Sequence, residues 1–182
     1  MTWSLSRLPP RKPELLDALF LSAGRSLHLA NAFEQKCRWI VRCINLVEMH
    51  READPVATFE DLVATLPADK MLGPTLQRLV GRMDCSAETV DTLRRARLGR
   101  NVIAHEGAGI GNVSLAREDR ILAHAARLRS AVSDLADGDN IVSQWGYRIE
   151  EPRGYLPHDL INAYPKMIDE WVFGHFEELP VL

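Results

Sequence analysis

The chain has 182 residues, which fits a single domain spanning residues 1–182. Apolar residues make up 46% of the composition, which is enough to build a buried core. The formal net charge of -3 argues against a protein that is held on nucleic acid by bulk charge alone, although local charge can differ from this mean.

The first predicted element is a long helix from Glu14 to about Met49. Its apolar residues recur in alternating steps of three and four, which is typical of one buried helical stripe. Gly24 marks a position where this segment either kinks or divides into two helices. A helix of about 35 residues is long for a globular protein, so it indicates the long hairpin of a bundle or a dimer surface. The stripe consists of Leu16, Phe20, Ala23, Leu27, Ala30, Phe33, Cys37, Ile40, Ile44 and Val47.

Three helices are predicted next. Thr58 is the expected N-cap of a short second helix, because Asp61 lies three residues later as in a capping box. A third helix covers residues 72–83. The fourth follows Ser86, a favourable N-cap, and continues to His105.

The next part of the chain is less regular. A fifth helix is expected to begin at the N-cap Ser114, with Val113 as a hydrophobic staple, and to stop at residues 137–140, which read Asp-Gly-Asp-Asn. Residues 141–155 have the pattern of one short strand or hairpin.

A last helix is predicted at residues 159–176, bent or broken at Pro165. Taken together, these elements predict an all-α fold. We expect a helical bundle with its core at residues 10–137 and a helical, aromatic extension at residues 138–182.

The cysteines and histidines give no metal pattern. Cys37, Cys43 and Cys85 are odd in number and lack metal-ligand spacing, so we expect reduced, part-buried thiols in a cytoplasmic protein. The five histidines outside residue 105 have no metal-like pairing, and we expect neither a metal nor a cofactor. The first twelve residues lack a continuous apolar stretch, and no window approaches the roughly 18 apolar residues of a membrane span. We therefore expect no signal peptide and no membrane partner.

The most informative stretch is Arg100 to His105, which reads Arg-Asn-Val-Ile-Ala-His and is followed by Glu-Gly-Ala-Gly. It closes the fourth helix. At about 100° per residue, Arg97, Arg100, Asn101 and His105 fall within one arc of about 140°. The same arc is apolar one or two turns earlier. A polar end on an otherwise apolar helix face indicates a cavity, an interface or a site.

This ending resembles the motif of the HEPN superfamily, in which four to six residues separate an arginine from a histidine. In many members the arginine is followed directly by Asn, Asp or His, and Asn101 fills that position. Arg117 with His124 and Arg153 with His158 satisfy the same loose spacing, but they lack this context of Asn, helix end and glycine-rich exit. The resemblance covers the chain to about residue 137 and implies the helical bundle.

HEPN proteins include metal-independent endoribonucleases. The resemblance therefore implies RNA cleavage through attack of the 2′-OH, with Arg100, Asn101 and His105 as catalytic residues and cyclic-phosphate products. It also implies a homodimer with a shared, positively charged groove. The common setting of such enzymes is toxin–antitoxin or phage defence, with an antitoxin or a minimal nucleotidyltransferase as a possible partner. Some members only bind nucleotides or proteins, so a non-catalytic binding module and a ligand-free structural dimer remain alternatives.

These residue types suit the implied chemistry. Histidine transfers protons near neutral pH. Arginine offers a planar, permanently charged fork that matches phosphate oxygens. The amide of Asn101 can hold the substrate or orient the imidazole. Arg94, Arg95 and Arg97 precede Arg100 closely, and they are candidates for binding the substrate backbone.

Each of these residues also has a structural interpretation. His105 suits a helix C-terminus because of the helix dipole. Arg100 can pair with Glu106 or with an acidic residue of another helix, and the arginine cluster can be a solvated face. Glu34 and Lys36 either line the site from the first helix or face solvent. Several aromatic residues either stack on unpaired bases or pack the end of the bundle: Trp145, Tyr147, Tyr155, Tyr164, Trp171 and Phe173.

Overall fold

Six α-helices form the part of the chain that the computed structural model describes, which is residues 10–52, 58–66, 71–111 and 116–177. The structure is 84% helical, and these residues contain no strand, so the predicted all-α class is confirmed. None of the helices in these ranges is long and apolar enough to cross a bilayer. The helices are α1 (Pro13–Glu52), α2 (Phe59–Ala64), α3 (Leu72–Arg82), α4 (Ala87–Glu106), α5 (Glu118–Glu150) and α6 (His158–Glu177).

Helix α1 runs without interruption through Gly24 and forms one wall of the bundle. Its buried face repeats at steps of three and four, as predicted, but it includes Leu19 and Leu29 rather than all of the expected residues. Phe20, Leu27 and Val47 were expected in the buried stripe, and each is more than a third exposed. The buried face of α1 is therefore rotated slightly about the helix axis from the face that the sequence pattern predicts.

Helices α4 and α5 pack closely because each offers a glycine to the other. A Cβ atom on Gly99 would lie 2.4 Å from the carbonyl oxygen of Ala131, and one on Gly138 would lie 2.3 Å from the Cβ of Ala96. Side chains larger than hydrogen cannot fit at either point without moving a backbone. This close approach fixes the rotation of α4 about its axis, and with it the direction of Arg100.

Two predictions on α5 are wrong. The helix does not stop at residues 137–140, and residues 141–150 continue it rather than forming a strand or hairpin. The turn-like residues have packing roles instead: Gly138 makes the close contact with α4, and Asp139 is fully buried. Position 137, the expected end of the core bundle, therefore lies inside a helix. Tertiary contacts outweigh the local turn preference of this stretch.

Two of the predicted helix caps can be compared with the structure. Thr58 caps α2, and its side chain and that of Asp61 form the full capping box. Ser86 caps α4 and accepts a hydrogen bond from the backbone N–H of Thr89. Both predictions are confirmed. The expected cap at Ser114, with Val113, lies outside the described residues.

Helix α6 continues through Pro165 and packs on α1 and α5. Ser22 of α1 donates a hydrogen bond to the carbonyl oxygen of Val172 at 2.9 Å, and the side chain of Phe173 is buried beside it. The part of the chain that we expected to be an extension is thus attached to the bundle through its core. The three cysteines are free, with Cys37 buried and the other two half-buried.

Candidate active site on helix α4

The last third of α4 lies against the middle of α1, where three charged side chains meet. Arg100 forms an ion pair with Glu34, and Arg38 pairs with the other oxygen of the same carboxylate. Glu34 is only 8% exposed, whereas the side chain of Arg100 is 23% exposed. The carboxylate is therefore the buried anchor, and the two guanidinium groups reach from it towards solvent.

This cluster carries an excess positive charge. Two arginines share one carboxylate, and Nη1 of Arg100 also donates to Oδ1 of Asn101 at 3.3 Å. A buried charge is tolerated when it is paired and hydrogen-bonded, as Glu34 is here. The remaining unit of positive charge is not neutralised within the cluster, and it can attract an anion such as a phosphate group.

His105 lies one turn beyond Asn101, near the end of α4. Its side chain is exposed and has no hydrogen-bond partner among the described residues. The helix end is held by its neighbours instead: Glu106 pairs with Arg127, and a ring nitrogen of His124 lies 3.0 Å from the carbonyl oxygen of Gly107. His105 is thus carried on a fixed helix end while its imidazole remains free to meet a ligand.

A polar strip runs along the α3-facing and solvent-facing side of α4. We define the polar strip as Arg94, Arg97, Asn101 and His105, which lie within about 80° of one another around the helix. From the first to the last of them the helix rises about 16 Å. Arg97 forms no ion pair with any described residue. Within the described residues, the strip therefore offers a guanidinium without an acidic partner about 12 Å along the axis from the histidine.

A groove between α3 and α4 borders the polar strip. It encloses about 540 Å³, and Arg94 and Arg97 lie at its edge beside the aliphatic side chains of Val80 and Val90. Arg97 also approaches the start of α3, where its Nη1 is 3.8 Å from the point that a Cβ atom of Gly73 would occupy. The groove combines apolar walls with two cationic side chains.

The structure does not bring all of the predicted substrate-binding residues together. Arg95 lies on the α5 side of the helix, where it pairs with Asp91 and with Asp134 at 3.4 Å. Arg94 also pairs with Asp91, and its hydrogen bonds hold the pKa of that carboxyl group below its ordinary value. Of the three arginines predicted to bind substrate, only Arg97 lacks an acidic partner within the described part of the chain.

Sequence patterns pointed to some of these neighbours and missed others. The sequence allows Glu34 either to line the site or to face solvent, and in the structure it contacts Arg100. Arg100 therefore has an acidic partner on another helix, as its structural interpretation requires. Lys36 does not join this site and instead contacts Asp139 of α5. Arg38 and His124 were not singled out as site residues. The step from residue 34 to residue 38 is one helical turn, a signal that could have identified Arg38 once Glu34 was placed.

The aromatic residues of the C-terminal third divide between the two interpretations. Phe173 is buried in the core, and the partly buried Trp145 packs against this core. Tyr155 is 96% exposed in the segment before α6. Tyr147 and Tyr164 are half-buried in a cavity that is separate from the polar strip.

Comparison of the chain with protein-family models, curated proteins and solved structures returned no significant match.

Proposed function

We propose that this protein is an endoribonuclease of the HEPN type, which cleaves RNA by attack of the 2′-OH on the adjacent phosphate. One observation carries the proposal: the cluster of Arg38, Glu34 and Arg100 has an excess positive charge, and His105, which is exposed and has no partner among the described residues, follows on the same helix. The fold class and the charge pattern support the resemblance seen in the sequence.

Each residue has a distinct role in this mechanism. His105 takes the proton from the 2′-OH, because an imidazole can accept and donate protons near neutral pH. Arg100 stabilises the charge that grows on the phosphorane, with Glu34 holding its guanidinium in place. Asn101, which accepts a hydrogen bond from Arg100, orients the substrate or the imidazole. Arg97 binds a phosphate group further along the strand.

An RNA-cleavage assay with mapped ends tests the proposal. The wild-type protein is incubated with total RNA and with transfer RNA, and the new termini are identified. We expect 5′-hydroxyl and 2′,3′-cyclic phosphate ends, and the same products in the presence of EDTA. Products with 5′-phosphate and 3′-hydroxyl ends would contradict the proposed chemistry. Activity that EDTA removes and Mg²⁺ restores would contradict it as well.

Matched variants separate the site from its surroundings. His105→Ala removes an exposed side chain that has no partner in the described part of the chain, so the fold should be unchanged while cleavage falls by about 10²–10⁴-fold. Arg100→Lys keeps the positive charge near Glu34 but loses the fork, and we expect a loss of about 10²-fold. Arg153→Ala with His158→Ala is the control, because this exposed pair has the same spacing and lies outside the site. Equal losses in the control would overturn the assignment.

We further propose that the active form is a homodimer. One copy of the motif supplies a single histidine at the helix end, whereas cleavage needs both a proton acceptor and a proton donor. Phe20 and Leu27 are exposed on α1 two turns apart, and they offer an apolar face for a second copy. Sedimentation at micromolar concentration should give a dimer. Mixed dimers of His105→Ala and Arg100→Ala chains should recover part of the activity if the site is shared.

A toxin or phage-defence setting follows from the same proposal. Expression of the wild-type chain should arrest growth, and expression of His105→Ala should not. An antitoxin or nucleotidyltransferase partner would relieve the arrest. Growth arrest by both chains would separate the toxicity from RNA cleavage.

Binding without cleavage is the second candidate function. It is favoured by the ion pair between Arg100 and Glu34, because this pair partly buries the arginine and gives it a structural role. RNA with 2′-O-methyl groups cannot be cut by this chemistry, so its affinity reports binding alone. If wild-type protein binds it and leaves unmodified RNA intact, the binding module replaces the nuclease.

A further inference from the structure

A second cavity lies between α1, α5 and α6, on the side of α1 that faces away from Glu34. It encloses about 620 Å³, and its lining includes Leu156 and Pro157 of the segment that joins α5 to α6. This volume falls in the range of pockets that bind small molecules, about 300–1,000 Å³. The walls are mostly aromatic and aliphatic, with Trp39 from α1, Tyr147 from α5, and Leu160 and Tyr164 from α6.

The cavity has a polar floor that is fixed by a buried carboxylate. Asp139 is fully buried, and it pairs with Lys36 at 2.6 Å and accepts a hydrogen bond from the hydroxyl of Tyr164. Lys36 also donates to the hydroxyl oxygen of Ser143 at 2.8 Å. These contacts hold the side chains of three helices in defined positions, so the floor is preorganised for a ligand.

The charges around the cavity exclude a polyanionic ligand. Lys36 is neutralised by Asp139, and the only other ionised side chain in the described lining is the acid Glu150. Lys36 thus contributes one positive charge, and Asp139 and Glu150 contribute two negative charges. A phosphate group would enter without a free cation to meet it, at a cost in desolvation. The preferred ligand is therefore uncharged.

Three of the polar groups at the cavity are carboxamides. Gln35, Asn140 and Gln144 line it, and each side chain has both a donor and an acceptor. Nδ2 of Asn140 is fixed by a hydrogen bond to the carbonyl oxygen of Ile161 at 2.8 Å, which leaves its oxygen to accept. A planar ligand with amide-like edges can pair with these groups while its faces pack on Trp39 and Tyr147.

We propose that the cavity between α1, α5 and α6 binds an uncharged nitrogen heterocycle of nucleobase type, free or as a nucleoside. The inference rests on the shape, the aromatic walls and the charge balance of this cavity. It does not depend on RNA cleavage at α4, whose Arg100 contacts the opposite side of α1 through Glu34.

Isothermal titration of the full chain with adenosine, guanosine, cytidine and uridine tests the proposal. At least one nucleoside should bind with a dissociation constant of about 1 mM or below. Its 5′-monophosphate should bind about tenfold more weakly, because the phosphate group meets no free cation. Saturable binding of none of the four, or tighter binding of the monophosphates, would overturn the proposal.

Two glycine substitutions locate the binding. A Cβ atom on Gly146 would lie 3.5 Å from the ring of Trp39, which is ordinary van der Waals contact, so the further carbons of Gly146→Leu would occupy space in the cavity. Circular dichroism should show that the variant keeps its helical fold. It should weaken nucleoside binding at least about tenfold. Gly24→Leu is the matched control, since a Cβ there meets nothing within 4 Å, and its binding should equal that of the wild type.

Gln144→Met provides an independent check that does not change the cavity volume greatly. It removes one carboxamide, and affinity should fall about tenfold if that group pairs with the base. Unchanged affinity in both Gly146→Leu and Gln144→Met would place the nucleoside elsewhere, at the polar strip, and would refute the assignment.

Discussion

Gly99 provides a sharp test of how α4 is positioned. Within a helix, replacing glycine by alanine normally stabilises by about 1 kcal/mol, because glycine loses more backbone freedom on folding. At Gly99 the new methyl group would lie 2.4 Å from the carbonyl oxygen of Ala131, a backbone atom that cannot rotate away. Overpacking of this kind costs about 1–3 kcal/mol. Because the clash is with a rigid backbone atom, we expect its cost to lie in the upper part of this range, at about 2–3 kcal/mol. After the gain in propensity is subtracted, Gly99→Ala should destabilise the protein by about 1–2 kcal/mol.

Gly24→Ala is the matched control for this prediction. A Cβ atom there has nothing within 4 Å, so only the propensity gain remains. For a chain of this size, 1 kcal/mol corresponds to a shift of about 2–4 °C in the melting temperature. Urea and thermal unfolding followed by circular dichroism should give opposite signs for the two variants. If Gly99→Ala is as stable as Gly24→Ala, the close packing of α4 on α5 is not as described.

Further predictions concern chemistry and stability. Burial raises the pKa of the Cys37 thiol far above its ordinary value, so iodoacetamide at pH 8 should modify the half-buried Cys43 and Cys85 first and reach Cys37 only on unfolding, as mass spectrometry would show. Hydrogen bonds from Thr58 hold the pKa of the Asp61 carboxyl group below its ordinary value of 3.8. The ionised carboxylate therefore stabilises α2 above about pH 4, and this stabilisation is lost as the pH falls through the lowered pKa. NMR titration of the Asp61 carboxyl group would measure the shift. Tyr164→Phe removes a hydrogen bond to the buried Asp139 and should cost about 1–2 kcal/mol in urea unfolding; a neutral result would contradict the contact. The 2′-OH mechanism requires that DNA of the same sequence and RNA with a 2′-O-methyl group at the cut site both survive incubation.

Local signals account for the parts of the fold that the sequence predicted well. The capping box at Thr58 and the cap at Ser86 involve groups within three residues of each other, and such pairs form whatever the rest of the chain does. The helical period of α1 is equally local. This period identified most of the buried face of α1 but was wrong at Phe20 and Leu27, which are exposed. The apolar stripe is wide, and the period alone does not show which of its two edges packs against the core.

The failure at residues 137–140 has a different cause. Glycine, aspartate and asparagine disfavour helix interiors when their neighbours are unknown. In the folded chain, Gly138 allows the contact with Ala96, and Asp139 is paired with Lys36, which is 103 residues away. Partners at that separation are not visible in a local pattern, so the turn signal misled the prediction of both the helix end and the strand that followed.

The same limit applies to the candidate site, where the motif on α4 was local and its partners were not. Glu34 and Lys36 are two positions apart on α1, and a step of two residues turns about 200° around a helix. One side chain therefore reaches Arg100 and the other reaches Asp139, on opposite sides of the same helix. The sequence presented them as a single polar pair of uncertain role. The structure separates them into the anchor of a cationic cluster and part of the floor of a cavity whose lysine is already paired. Under our two proposals, an RNA phosphate and an uncharged ligand would be recognised on opposite sides of one helix without competing for the same charges.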